Sequence, residues 1–184
     1  MIDARRIEEA GLNALQTQRQ LFYDGWLLRV SPGSAKRARS VNAHFGSTLP
    51  LDEKIAHCER VYGERELPAL FRITPFVHPA DLEGALARRG YRPFQPTLVQ
   101  AMELVGRELP SQGPAEVDLV EPSIDAFADA VAALRGSPPG QRDALRERLV
   151  HSPLDGRHAL ALVDGVPVAA GKSAREGDVV GVFD

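Results

Sequence analysis

The sequence has little of several features that define common protein classes. It holds one cysteine, Cys58, among 184 residues, which excludes a disulfide within the chain and a cysteine-based zinc cluster. No apolar run approaches the roughly 18 residues that a membrane-spanning helix needs. Residues 1–5 lack the apolar core of a secretory signal peptide. Together these absences predict a cytoplasmic protein with no membrane partner.

Charge and metal-ligand patterns are equally weak. The formal net charge is −3, so no excess of basic residues favours nucleic acid. We therefore expect no nucleic-acid partner. The five histidines share no spacing typical of metal ligands, and we expect no metal site. Cys58 falls on an apolar helical stripe, which predicts a buried, unreactive thiol.

Apolar residues make up 43% of the sequence, enough for a packed core. In the first half, helical periodicity indicates helices at 3–18, 51–66 and 79–89. Alternating or short apolar runs indicate strands at 26–30, 37–45, 69–74 and 97–104. Asp24-Gly25 is a turn signal directly before the first of these strands.

The pattern restarts after a polar segment with two prolines and two glycines at 106–114, which we interpret as a linker. A strand at 116–120 precedes a helix that Pro122-Ser123 opens and that residues 136–140, beginning with Gly136, break. A second helix is predicted at 141–151. Strands at 158–163, 166–173 and 179–184 follow, joined by tight turns at Asp164-Gly165 and Gly177-Asp178. The prediction is an α/β (α+β layered) fold with a mixed, mainly antiparallel sheet and flanking helices. The predicted domains are 1–105 and 115–184.

The second half resembles the opening half of a GNAT-type N-acetyltransferase. The resemblance rests on the hairpin of residues 159–171, with its Asp164-Gly165 turn, and on the closing strand of residues 180–184. Residues 85–94 and 98–104 resemble the closing half of the same fold, as a degenerate copy. The hairpin of residues 26–42 is similar to N-terminal domains attached to some members.

One departure from the family pattern is the cofactor loop. GNAT enzymes bind the pyrophosphate of acetyl-CoA with a loop of the type (Arg/Gln)-x-x-Gly-x-(Gly/Ala), and no such stretch occurs here. Residues 46–50 stand in the equivalent place of the first half, where Pro50 offers no N–H and Asp52 and Glu53 would repel phosphate. The second half ends before the loop would begin. Either the chain is a fragment that is inactive alone, or the protein has lost the cofactor site. We favour the fragment, because a strand that ends at Asp184 would leave an open sheet edge.

The resemblance implies acetyl-CoA as acyl donor and direct transfer to an amine. Asp184 would be the general base, and Val182 and Phe183 would contact the pantetheine arm. The alternatives are a solvated aspartate and ordinary core residues. A small amine, an amino acid, an aminoglycoside and a protein N-terminus all fit as acceptor.

Tyr23, Trp26, Arg29 and Asn42 form a second candidate group, an acceptor pocket in which Arg29 could hold a carboxylate. The alternative is that Trp26 is core and Arg29 lies on a solvated face. The competing interpretation of the whole chain is a non-catalytic α/β module that binds a ligand or partner through an exposed strand edge. Pairing at that edge would give a homodimer.

Overall fold

The structure is a computed structural model that describes residues 3–15, 17, 19–31, 35–108 and 116–183. It has an α/β fold with two four-stranded sheets and five α-helices in these ranges. The chain forms two compact units. One comprises Thr17–Gln100, and the other comprises Met1–Gln16 with Ala101–Asp184.

The unit Thr17–Gln100 is built on a sheet whose strands follow chain order: β1 (Gln20–Tyr23), β2 (Trp26–Arg29), β3 (Val41–Asn42) and β4 (Phe71–Arg72). β1, β2 and β3 pair antiparallel, and β4 lies parallel to β3. Helices α2 (Leu51–Gly63) and α3 (Leu82–Arg88) belong to the same unit. The predicted Asp24-Gly25 turn closes the β1–β2 hairpin, with positive φ at both residues.

The core of this unit lies between sheet and helices. Trp26 and Leu28 from β2 pack with Ile55, Cys58 and Tyr62 from α2. All five side chains are fully buried. The apolar stripe expected on α2 is therefore confirmed, as is the burial of Cys58. Burial raises the pKa of the Cys58 thiol to about 12, which keeps it protonated and unreactive.

The other unit contains a second sheet, again in chain order: β5 (Asp118–Val120), β6 (Asp155–Val163), β7 (Val166–Glu176) and β8 (Val179–Phe183). All its neighbours are antiparallel. Helices α4 (Ile124–Arg135) and α5 (Pro139–Val150) belong with it, as does α1 (Ala4–Asn13). The predicted three-strand meander and both of its tight turns are confirmed.

Helix ends in this unit follow the sequence signals. The Ser123 Oγ accepts a hydrogen bond from the Ala126 N–H at 3.2 Å and caps α4. Gly136 ends the same helix with a left-handed φ of 59°. Phe127 and Val131 of α4 then pack on Leu160 of β6, with Leu145 and Leu149 of α5 beside them. The helices thus cover one face of the sheet.

Several predicted elements need correction. Residues 97–104 form no strand, and Leu98 is 89% exposed. The segment has an apolar pattern but no neighbouring strand to complete its backbone hydrogen bonds. The strand expected at 37–45 is limited to β3 (Val41–Asn42), because Lys36–Ala38 forms a 3-10 turn. Helix α1 ends at Asn13 rather than at residue 18. Most of the proposed linker 106–114 lies outside the described residues.

Within the described ranges, no helix combines the length and apolar character needed to cross a membrane.

Candidate functional site

The first candidate site lies at the end of β8. Val182 pairs with Ser173 of β7 and is 82% exposed. Phe183 pairs with Lys172 and is half-buried, with the Lys172 ammonium 5.6 Å from its ring centroid. The proposed base Asp184 lies outside the described residues. The structure thus brings Phe183 next to a cation and leaves Val182 accessible.

The four residues of the predicted acceptor pocket lie close together but are mostly enclosed. Tyr23 and Trp26 are partners across the β1–β2 hairpin, and Asn42 pairs with Leu27. Trp26 is fully buried and its Nε1 donates to the His78 carbonyl oxygen at 3.0 Å. Tyr23 is half-buried and its ring stacks on His57 at 3.7 Å.

The two polar members of that group are also buried. Arg29 is only 3% exposed, so the alternative of a solvated face for Arg29 is wrong. The Asn42 Nδ2 donates to the Ser40 carbonyl oxygen at 2.9 Å, which uses the amide within the sheet. Such burial favours a role for these side chains in packing over a role in contacting an acceptor.

A buried lysine lies at the centre of this unit. Lys54 of α2 is fully buried, and its Nζ lies 3.1 Å from the Asp24 Oδ2 and 4.1 Å from the centroid of the Trp26 ring. It also donates to the Asp24 carbonyl oxygen. Burial lowers the pKa of Lys54, and the hydrogen bond to Asp24 partly offsets that effect. Asp24 and the Trp26 ring together stabilise the charged ammonium.

Asp24 itself is held by the loop before α2. Its carboxylate accepts hydrogen bonds from the Leu49 N–H and the Thr48 N–H, each at 3.0 Å, and from the Thr48 hydroxyl at 2.8 Å. The backbone donors of Leu49 and Thr48 are the main reason that its pKa falls well below the ordinary value. Each contact of the Asp24 carboxylate oxygens joins the β1–β2 turn to residues at the start of α2. We call this arrangement the Asp24 clamp, and its geometry indicates a structural role.

A cavity in the other unit collects several cationic side chains. It measures about 110 Å³ and is bordered by α5, β6, β7 and the end of α1. Arg148, His158 and Lys172 line it, together with Ser152 and Leu149. These cavity residues are not among the site residues predicted from the sequence. One signal was available: Lys172 falls at a core-facing position of β7, two residues after Ala170.

No group of three or more His, Cys, Asp or Glu side chains in the described part of the chain is placed to hold a metal ion. Comparison with known protein families, with curated proteins and with solved structures gives no match to this chain.

Proposed function

We propose that this chain belongs to an N-acetyltransferase that moves an acetyl group from acetyl-CoA to an amine. The observation that supports the proposal is the arrangement of residues 118–183. A strand, two helices and a three-strand antiparallel meander follow one another, and the sheet keeps chain order. That succession is what the resemblance to the GNAT-type acetyltransferases leads one to expect.

The proposed chemistry is direct attack of the amine on the thioester carbonyl, without a covalent enzyme intermediate. The amine must lose a proton to attack. In the proposal, Asp184 takes that proton, directly or through a water molecule. Val182 and Phe183 would contact the pantetheine arm, and the exposure of Val182 is compatible with such a contact.

A ligand-binding experiment tests the donor. The polypeptide, in the form that its gene encodes, is titrated with acetyl-CoA while its Tm is recorded. A ligand at 100 times its Kd stabilises the folded state by about 2.7 kcal/mol, which is readily measured. The absence of any shift at millimolar acetyl-CoA would contradict the proposal. The codons after Asp184 give a second test, because the proposal requires a stretch of the type Arg-x-x-Gly-x-Gly there.

A substitution tests the base. Asp184→Asn should lower kcat for acetyl transfer by about a hundredfold or more, because general-base catalysis typically contributes 10²–10⁴-fold. Release of free CoA thiol in the presence of a panel of amines gives the rate. Asp178→Asn, in the turn before β8, is the matched control and should leave kcat unchanged. Equal loss of activity in both variants would remove Asp184 from the mechanism.

A second candidate function is a non-catalytic module that pairs with another copy of itself. β8 is the outermost strand of its sheet in the described chain, and Val180 on it is 51% exposed. Unpaired strand edges are templates for β-sheet pairing. Light scattering should then show a dimer that Val182→Lys converts to monomer. Val166→Lys, at another exposed valine of the sheet, is the control. A monomer at all concentrations would exclude this function.

A further inference from the structure

The cavity beside α5 contains cations on a surface that should be apolar. His158 and Lys172 are direct cross-strand partners, and so are Leu160 and Ala170 two residues further along. Partners across an antiparallel pair share a face, as do residues two apart on a strand. Lys172 and His158 therefore lie on the same face as Leu160, which packs under α4. A lysine in that position loses hydration, and the Phe183 ring, 5.6 Å from its ammonium, offsets that loss only in part.

Other cations meet Lys172 from the helices. Arg148 of α5 lines the same cavity, and Arg135 at the end of α4 is near enough to act on both of them electrostatically. Burial lowers the pKa of Lys172, and the charges of Arg148 and Arg135 lower it further. Burial, followed by Arg135, also lowers the pKa of Arg148. The two arginines thus raise the free energy of the charged form of Lys172, and Arg135 does the same for Arg148.

Acidic partners are distributed unevenly around this helix pair. On the exposed side, Arg142 and Arg146 of α5 are paired with acidic residues of α4: Arg142 with Asp129 at 2.8 Å and Arg146 with Asp125 at 2.5 Å. Among the described residues, no carboxylate forms an ion pair with Arg135, Arg148 or Lys172. Burial, and then the charge of Lys172, lowers the pKa of His158, and the exposed Glu121 offsets that effect only in part. His158 therefore faces the cavity as a neutral hydrogen-bonding group near pH 7, and the positive charge comes from Lys172 and the arginines. The helix pair neutralises its surface arginines and leaves the cavity cationic.

The cavity also has the size and donors of a small binding site. Apolar cavities of about 150 Å³ hold a benzene molecule, so about 110 Å³ has room for one tetrahedral or planar oxyanion. Arg148 offers the planar fork that binds phosphate and carboxylate in two-point contacts, and Lys172 offers a point charge. The Ser152 hydroxyl is a further donor on the wall.

We propose that this cavity binds an oxyanion, the phosphate or carboxylate group of a small-molecule ligand, through Lys172, Arg148 and His158. Arg135 adds positive potential from the end of α4. The anion would supply the negative charge that the described side chains of this unit do not place beside Lys172 and Arg148. The proposal goes beyond acetyl transfer, because Lys172, Arg148 and His158 have no assigned role in that reaction, although the Lys172 ammonium lies 5.6 Å from the centroid of the Phe183 ring.

The test compares anions on the complete chain. Tm is recorded in sodium phosphate, sodium acetate and sodium chloride at equal ionic strength, so that screening is constant. Phosphate or acetate should raise Tm in a saturable way, and chloride should not. Saturation by phosphate alone indicates a phosphate-bearing ligand, and saturation by acetate alone indicates a carboxylate. Equal effects of all three salts would overturn the proposal.

Variants separate a binding role from a packing role. Lys172→Met should weaken the apparent Kd for the effective anion by roughly tenfold or more, as expected for loss of a charge-assisted hydrogen bond. In chloride alone the same variant should melt no lower than the wild type, because it removes a half-buried charge that has no carboxylate partner among the described residues. A lower Tm in chloride together with an unchanged Kd would assign Lys172 a structural role and refute the site.

Two further variants complete the design. Arg148→Gln removes the second cation from a different element, and it should also weaken binding by about tenfold. It keeps the test decisive if Lys172→Met fails to fold. Arg157→Met is the matched control, since exposed Arg157 precedes His158 on β6 and points to the opposite face. If Arg157→Met weakens binding as much as the cavity variants, the effect is one of net charge and the site is excluded.

Discussion

Asp24 shows how one side chain can organise a unit. It sits in the β1–β2 turn, yet its carboxylate holds the backbone of Thr48 and Leu49 before α2 and the ammonium of Lys54 within α2. The aspartate of an Asp-Gly turn is favoured for its tolerance of positive φ. Here the Asp24 carboxylate also fixes α2 against the β1–β2 hairpin. The backbone N–H groups that it binds cannot be identified from the sequence.

The first prediction concerns the pH dependence of this clamp. The folded-state pKa of Asp24 lies below its ordinary value of 3.8. A depressed pKa contributes stability that is fully present above the unfolded-state pKa and is lost as pH falls through the folded one. The free energy of unfolding should therefore differ most between wild type and Asp24→Asn near pH 6, and the difference should shrink toward pH 2.

Urea unfolding followed by the fluorescence of Trp26, the only tryptophan, measures this difference in the correct unit. Glu53→Gln is the control for net charge, because Glu53 is an exposed acidic residue in the first turn of α2. A difference between wild type and Asp24→Asn that is constant from pH 6 to pH 2 would contradict the assignment.

The second prediction compares two Asp-Gly turns. Gly25 and Gly165 both follow an aspartate in a hairpin, with φ of 81° and 77°. A Cβ on Gly25 would lie 2.2 Å from the Gly46 carbonyl oxygen, whereas one on Gly165 would meet nothing within 4 Å. Gly165→Ala should cost about 1 kcal/mol, for the left-handed backbone alone. Gly25→Ala should cost about 3 kcal/mol, because backbone must also move. Calorimetry of both variants checks the order, and equal losses would refute it.

The sequence gives the type of each side chain, but it does not give the groups that surround that side chain in the folded unit. It predicted burial of Cys58 because an apolar stripe gives that information directly. It treated Arg29 as solvated or ligand-binding, and it overlooked Lys172 and Arg148. Whether a cation has an acid beside it depends on contacts between distant elements, which periodicity does not encode. Asp24 and Lys54, thirty residues apart, illustrate the same limit.

At the scale of elements, α4 and α5 form a pair that the sequence predicts well. Ser123 before the helix and Gly136 after it fix the limits of α4, and both signals work as expected. The strand expected at 97–104 shows where such reasoning fails. A strand exists only when a neighbour completes its hydrogen bonds, and the side-chain pattern says nothing about the neighbour.

The third prediction concerns the cap of α4. Ser123→Ala should lower the free energy of unfolding by about 1 kcal/mol, because the Ala126 N–H loses its acceptor. The expected readout is a lower midpoint in calorimetry, with faster amide exchange in the first turn of α4. Ser137→Ala, just after the same helix, is the control and should change stability by less than about 0.5 kcal/mol. Similar losses in the two variants would argue against the cap.

At the scale of the whole molecule, α1 belongs with strands that lie far along the sequence. Arg6 Nη1 donates to the Glu176 Oε1 at 2.8 Å, Arg6 Nη2 donates to the Glu176 carbonyl oxygen, and Asn13 Nδ2 donates to the Glu176 Oε2 at 3.0 Å. These contacts attach the first helix to the end of β7. No periodicity or motif predicts a pairing over 170 residues.

The fourth prediction tests that attachment. Arg6→Gln should speed amide hydrogen exchange around the β7–β8 turn, because a side chain that bridges the turn to α1 is lost. The loss in free energy of unfolding should stay below about 1 kcal/mol, since the ion pair is partly exposed. Arg5→Gln, at the exposed neighbouring position, is the control. Unchanged exchange at residues 175–179 in Arg6→Gln would refute the attachment.

The position of α1 also sets the order in which the chain can fold during synthesis. Every residue of the unit Thr17–Gln100 leaves the ribosome before the strands to which α1 attaches. At a translation rate of about 5–20 residues per second, roughly 10 to 30 seconds separate the synthesis of Arg6 from that of Glu176. The unit Thr17–Gln100 can be complete by then, while α1, although it precedes that unit in the sequence, is among the last of the described elements to reach its site.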